Sequence, residues 1–334
     1  PLSLAMNAGM QKMPDRQLIM RKRSTLFNFR FNDKQKSISM YLVADIGGTN
    51  ARFALVEEGG YTTQHERTLA CANYRSLIDA VLAYLDDVSQ PVPETASLAI
   101  ATPVTDDRIV MTNHIWDLSV EATRKALGLM SLKVLNDYTA LALALPYLDD
   151  DDYHKVGRGG ASEKQTLAVI GPGTGLGVSG AIYAGDWWVP LQSEGGHISY
   201  GPLNERETVV IQVIRTHHHF VSAESLVSGP GLVLLYESIA ECDGVDHELL
   251  SPEQIANKAL KGGNALAEEA VAMFCGILGA IAGNLALTLG ARGGVFVGGG
   301  IVPKLGNYFT NSSFRARFEH NSRFGPVSYT HLTL

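Results

Sequence analysis

The chain has 334 residues, 46% hydrophobic and 18% charged, a balance that fits a soluble globular protein and excludes a disordered or fibrous one. Its net charge of −7 gives no reason to expect nucleic acid or an anionic membrane as partner. Three widely spaced cysteines, Cys71, Cys242 and Cys275, suggest neither a disulfide framework nor a zinc site and fit a reducing cytoplasm.

Residues 1–39 carry eight Lys and Arg against two Asp and Glu, so this leader is +6 and the remainder −13. They lack the apolar core of a secretory signal and read as a non-native or disordered leader, with Met40 as the start. From there strand-like and helix-like segments alternate, which predicts an α/β fold. Tyr41 to Ile46 and Ala51 to Val56 read as two strands joined by the turn Gly47-Gly48-Thr49-Asn50, a β-hairpin. A helix is predicted at 74–88, a buried strand at 96–101, a helix at 121–127, a strand at 131–136 and a helix at 139–145.

After an acidic loop at 149–162 the opening pattern returns: a strand at 166–170, the turn Gly171 to Gly177, and a strand at 178–183. This weak internal repeat predicts two related domains, each opening on a glycine-turned hairpin. Ala270 to Ala291 is uncharged and long enough to cross a bilayer. With no second span and no flanking basic cluster, it reads as a buried helix. The last eight residues, Val327 to Leu334, match the translation of a common sequencing-library adapter, which predicts an artefactual tail beyond Pro326.

Glycine turns between strands expose consecutive backbone N–H groups and let a phosphate approach closely. Asp45 beside Gly47-Gly48-Thr49 adds a carboxylate that Mg²⁺ could share with that phosphate, and Gly173-Thr174-Gly175 supplies a second turn. A structural hairpin is the competing reading. Gly298-Gly299-Gly300 is either a plain strand-to-helix turn or a surface for adenosine. No Walker A sequence occurs, which argues against a P-loop enzyme. Asp137, at a predicted helix N-terminus, is either an N-cap or a general base. Asn136, Glu194, His197 and Glu224 form a polar set suited to sugar hydroxyls, although each alone reads as a surface residue or cap. His217-His218-His219 on a helix would point in different directions, so a solvated face is predicted rather than a metal site.

DIGGTN (45–50), MTNHIW (111–116), LNDYTA (135–140), GPGTGLG (171–177), EGGH (194–197), SAESLVSGPGL (222–232) and GGVFVGGGIVP (293–303) together resemble the bacterial glucokinases, in the family's order. The related ROK sugar kinases and repressors match less well, because no cysteine-rich zinc motif follows His197. The resemblance implies a two-domain actin-like ATPase (ribonuclease H-like) α/β fold with an interdomain cleft, a small domain at 40–147 and a large one at 148–326. It implies an ATP-dependent glucokinase with Mg²⁺ at Asp45, Asp137 as the base, and Asn136, Asp137, Glu194, His197 and Glu224 holding glucose. ATP would lie on Ala44, Asp45, Ile46, Gly47, Gly48, Thr49 and Asn50, on Gly173, Thr174 and Gly175, and on Gly299 and Gly300. A homodimer is implied by the family alone. The family continues beyond Pro326 with a strand, a glycine-rich turn and a helix, so a C-terminally truncated member is expected. A kinase for another hexose, or a non-catalytic sugar- or ATP-binding regulator, are the alternatives.

Overall fold

The computed structural model describes residues 39–111, 115–157, 160, 162–320 and 332–333. The predicted leader up to residue 38, Thr112 to His114 of the MTNHIW motif, and most of the predicted tail lie outside them. The chain divides into two compact units, Pro1–Ala140 and Leu141–Leu334.

In the first unit the predicted hairpin forms as β1 (Met40–Ile46) and β2 (Asn50–Glu57), followed by β3 (Thr63–Ala70). Then come α1 (Leu77–Asp87), β4 (Thr95–Ile100), the short pair β5 (Arg108–Val110) and β6 (Asp117–Ser119), α2 (Val120–Ala126), β7 (Ser131–Asn136) and α3 (Asp137–Ala144). The sheet order is β3-β2-β1-β4-β7, antiparallel across β3-β2-β1 and parallel across β1-β4-β7. Ile46 is in register with Ile100, and Ile100 with Asn136, so the carboxyl ends of the three parallel strands line up along one edge. Open α/β sheets present their ligands at that edge. The helix predicted from Tyr74 starts three residues later because Ser76 caps it, its side chain accepting from Asp79 N–H. Leu77, Ala80, Val81, Tyr84 and Leu85 then recur at helical spacing and are buried.

The second unit contains β8 (Leu167–Pro172), β9 (Leu176–Tyr183), β10 (Trp188–Leu191), α4 (Glu205–His217), α5 (Ala223–Leu226), α6 (Gly229–Asp243) and α7 (Pro252–Lys261). It continues with α8 (Ala265–Leu289), β11 (Gly294–Val297), α9 (Val302–Leu305), α10 (Asn307–Asn311), α11 (Phe314–Glu319) and β12 (Leu332–Thr333). Its sheet order, β10-β9-β8-β11-β12, has the same pattern as the first: a three-stranded antiparallel meander and then parallel neighbours. The repeated hairpin seen in the sequence is therefore a repeated sheet topology. Leu332 and Thr333 pair in parallel with Val295 and Phe296, so the sheet gains a two-residue strand within the segment read as an artefactual tail.

All but the last two residues of the apolar stretch at 270–291 lie in α8, which is long and apolar enough to cross a membrane yet largely buried inside the protein. It is capped by Asn264 at one end and by left-handed Gly290 at the other. Gly279 explains part of its composition: a Cβ there would lie 2.3 Å from the Phe314 carbonyl oxygen, so only glycine lets α11 approach. The three histidines are all exposed, as expected of a solvated face, but of the three only His217 lies in a helix, with Nε2 3.2 Å from Glu241, because α4 ends there.

Candidate active site

Asp45 is the penultimate residue of β1, and Arg52 stands opposite it on β2. Arg52 Nη1 lies 2.9 Å from Asp45 Oδ2, an ion pair whose arginine is largely exposed. The turn between these strands has its carbonyls tied down. Asn50 O accepts from Gly47 N–H at 3.0 Å, Thr49 O from Cys71 N–H at 2.8 Å, and Gly47 O from the buried Cys71 thiol at 3.5 Å. The N–H groups of Gly48 and Thr49 meet no acceptor among the described residues, which suits an anion-binding turn.

Along the same edge, the junction of β7 and α3 carries Asn136 and Asp137. Asn136 Oδ1 accepts from Tyr138 N–H at 3.0 Å and Thr139 N–H at 3.2 Å, so Asn136 rather than Asp137 caps the helix. Its amide donates to Asp137 Oδ1 at 2.9 Å and to Thr102 O at 3.4 Å. An amide side chain has two donor hydrogens and two acceptor positions, and all four of Asn136 are engaged here. Asp137 Oδ1 also accepts from Tyr138 N–H at 2.9 Å, and among the described residues nothing bonds to its Oδ2. Burial raises the Asp137 carboxyl above the usual carboxylate value, and the charge of Asp45 adds to it. The Tyr138 N–H and the Asn136 amide act in the opposite direction.

In the second unit the turn Gly173-Thr174-Gly175 is closed by Gly173 N–H donating to Gly175 O at 2.8 Å. Thr174 and Gly175 N–H meet no acceptor among the described residues, a second pair like that of the first turn. Glu224, on the four-residue α5, reaches this turn: its Oε2 accepts from Leu176 N–H at 2.8 Å. A Cβ on Gly175 would sit 2.5 Å from that oxygen, so this glycine makes room for Glu224. Gly195–His197 form one short helical turn, and His197 lies between two carboxylates, 3.9 Å from Glu194 Oε2 and 3.9 Å from Glu224 Oε1. Gly196 permits this, because a Cβ there would overlap the Leu176 carbonyl oxygen at 2.1 Å.

The structure thus assembles Asp45, Asn136 and Asp137 at the sheet edge of the first unit, and Glu194, His197 and Glu224 around the turn of the second. The third glycine cluster divides by role. Gly299 has φ +84 and a Cβ position 2.3 Å from Pro172 O, so it is fixed by packing on the β8–β9 turn. Gly300 and Gly173, by contrast, have open space where a Cβ would project. Arg52 and Cys71 were missed in the sequence. Counting seven residues across the hairpin from Asp45 would have found Arg52; nothing local marks Cys71.

The family description "Glucokinase" matches residues 42–330. The chain is 46% identical over 284 residues to a glucokinase of Aromatoleum aromaticum, covering 85% of this chain and 86% of that one. It is 49% identical over 285 residues to the bifunctional protein glk of Burkholderia thailandensis, but spans only 44% of that longer relative while 85% of this chain is matched. Among solved structures, a glucokinase from an Antarctic psychrotroph superposes with a TM-score of 0.81 at 35% identity, covering 89% of this chain and 94% of that one.

Proposed function

The chain belongs to the glucokinase family, and on that premise we propose that it moves the γ-phosphoryl group of MgATP onto the 6-hydroxyl of glucose, giving glucose 6-phosphate and ADP. The observation that carries the reading is Asp137. It is a half-buried carboxylate at the carboxyl edge of the three parallel strands, raised in pKa, with one oxygen held and the other available to a substrate hydroxyl. General bases work best with a pKa moved toward the working pH, and this setting does that.

The chain's residues divide the work. Asp137 accepts the hydroxyl proton as the sugar oxygen attacks phosphorus. Asn136, fully engaged in hydrogen bonds, orients Asp137 and reaches the sugar only by exchanging one of them. Glu194, His197 and Glu224 supply acceptors and a ring nitrogen for further hydroxyls. The turns at 44–50 and 173–175 hold the ATP phosphates through their unpaired N–H groups, with Arg52 as a nearby cation.

Among the described residues no group of three or more His, Cys, Asp and Glu could hold a metal by itself. Mg²⁺ that arrives with ATP needs only one or two protein carboxylates, and Asp45 is a hard oxygen ligand that fits this need. When bound, it neutralises charge on the β- and γ-phosphates. The test is coupled ADP release with a panel of hexoses. Turnover selective for glucose supports the proposal, turnover selective for another hexose moves the substrate, and none with any hexose sinks it.

A further inference from the structure

We propose that Cys71 is a positioning residue for the nucleotide: it holds the β1–β2 turn in the shape that aims its unpaired N–H groups at phosphate. The inference rests on the glucokinase reading, in which that turn cradles ATP, and adds the residue that gives the cradle its form. Sheet register brings Cys71 there. Asn50 pairs with Ala70, so Cys71, the next residue, runs one position past the β2–β3 ladder and meets the turn. Its N–H donates to Thr49 O at 2.8 Å and its thiol to Gly47 O at 3.5 Å. One residue thus ties down a carbonyl on either side of the unpaired Gly48 and Thr49 N–H groups.

Peptide geometry makes the thiol bond consequential. Gly47 C=O and Gly48 N–H belong to one planar trans unit and point in opposite directions. Holding the oxygen toward Cys71 therefore turns the Gly48 N–H away from it, to the outer side of the turn. Glycine flanks that peptide on both sides, so no Cβ limits its rotation and the orientation has to come from a bond. A donor already aimed costs less to order when the anion arrives. Burial suits the thiol to this work. Cys71 is 0% exposed, and burial pushes its thiol above the ordinary value, so it keeps the proton it donates and brings no negative charge toward phosphate. Cys71 is itself anchored from behind: Tyr74 N–H donates to Cys71 O at 3.1 Å, and Trp116 Nε1 to Tyr74 O at 3.1 Å.

The experiment is calorimetric titration of the full chain with the Mg²⁺ complex of AMP-PNP, and separately with glucose, for wild type, Cys71→Val, Cys71→Ala and Cys71→Ser. Valine keeps apolar bulk and alanine fits wherever cysteine does, but both lose the donor; serine keeps one. The valine and alanine variants should each bind AMP-PNP about two- to fivefold more weakly, the range of a single weak hydrogen bond. Their glucose affinity should not change, a split that general damage to the fold would not give. The serine variant should bind the nucleotide as wild type does. Wild-type nucleotide affinity without the thiol donor overturns the proposal, as does a serine variant no tighter than the alanine one, or a parallel loss of glucose affinity. The Gly48 amide resonance gives a second readout: it should move when AMP-PNP is added to wild type, and should start from a displaced position in Cys71→Ala. An undisplaced start in that variant overturns the proposal and defeats this inference alone. A wild-type Gly48 resonance that ignores bound AMP-PNP defeats the phosphate-turn reading beneath it.

Discussion

At Asp137 burial and the charge of Asp45 both oppose ionisation, and the consequences reach stability as well as rate. A carboxyl whose folded pKa is raised stabilises the fold in its protonated form. That contribution is complete below the ordinary value of 3.8 and is lost as pH rises through the raised folded value. At neutral pH the ionised Asp137 is therefore a cost to the fold. Asp137→Asn keeps an acceptor for Tyr138 N–H, so it should melt above wild type while turning over about 10²–10⁴-fold more slowly. Thermal melts paired with coupled assays check both halves, and near-normal turnover would remove Asp137 as the base. The wild-type rate should fall toward acid with a midpoint above 3.8, the value an ordinary aspartate would give. The glycines predict a contrast of their own. Gly299→Ala, strained by φ +84 and by Pro172 O, should lose about 1–3 kcal/mol in urea melts. Gly173→Ala meets nothing within 4 Å, so it should keep its stability and raise the KM for ATP if that turn holds phosphate. Of these residues, Asp137 and the glycines were legible as types in a pattern. That Asn136 is also anchored on Thr102, or that Glu224 reaches Leu176 beside Gly175, depends on partners 34 and 48 residues away in the chain.

Between elements, α11 is fastened to α4 by a buried ion pair. Arg317 Nη2 donates to Glu207 Oε1 at 2.5 Å, while Tyr200 O–H and the Leu203 N–H donate to Glu207 Oε2 at 2.9 Å each. Burial, with the negative Glu207 beside it, pushes the Tyr200 phenol well above its ordinary value. Removing one partner of a buried pair leaves the other uncompensated, so Arg317→Met should cost about 3–5 kcal/mol by urea denaturation. A loss under about 1 kcal/mol would mean that the pair behaves like a surface bridge. This network was invisible to local reading because a lone Glu, Arg and Tyr carry no periodic signal. The same is true of β3: its sequence, TQHERTLA, lies at a sheet edge with most side chains exposed, so it shows no apolar alternation and nothing announces a strand. Strands β1, β4 and β8 were legible because they are central, and central strands read as apolar runs.

For the molecule as a whole, two hydrophobic cores account for the two units. One runs from Leu42 to Leu129 and the other from Val156 to Phe318, with no residue shared. Separate cores predict a calorimetric endotherm that resolves into two components; a single two-state transition would contradict that expectation. The repeated topology was legible from its two glycine-turned hairpins, since the turn residues and flanking apolar runs are local. The pairing order of the strands was not, because it is decided by which buried faces meet. The packing of α8 has one more consequence, which concerns synthesis. Its neighbours α6 and α7 precede it in the chain, but α11, which covers the face around Gly279, ends about 30 residues after it. At about 5–20 residues per second, that apolar face waits roughly 2–6 seconds on the ribosome for its cover. A pause in translation between residues 290 and 319 would leave a bare helix with the look of a membrane span, offered to chaperones and to other nascent chains alike.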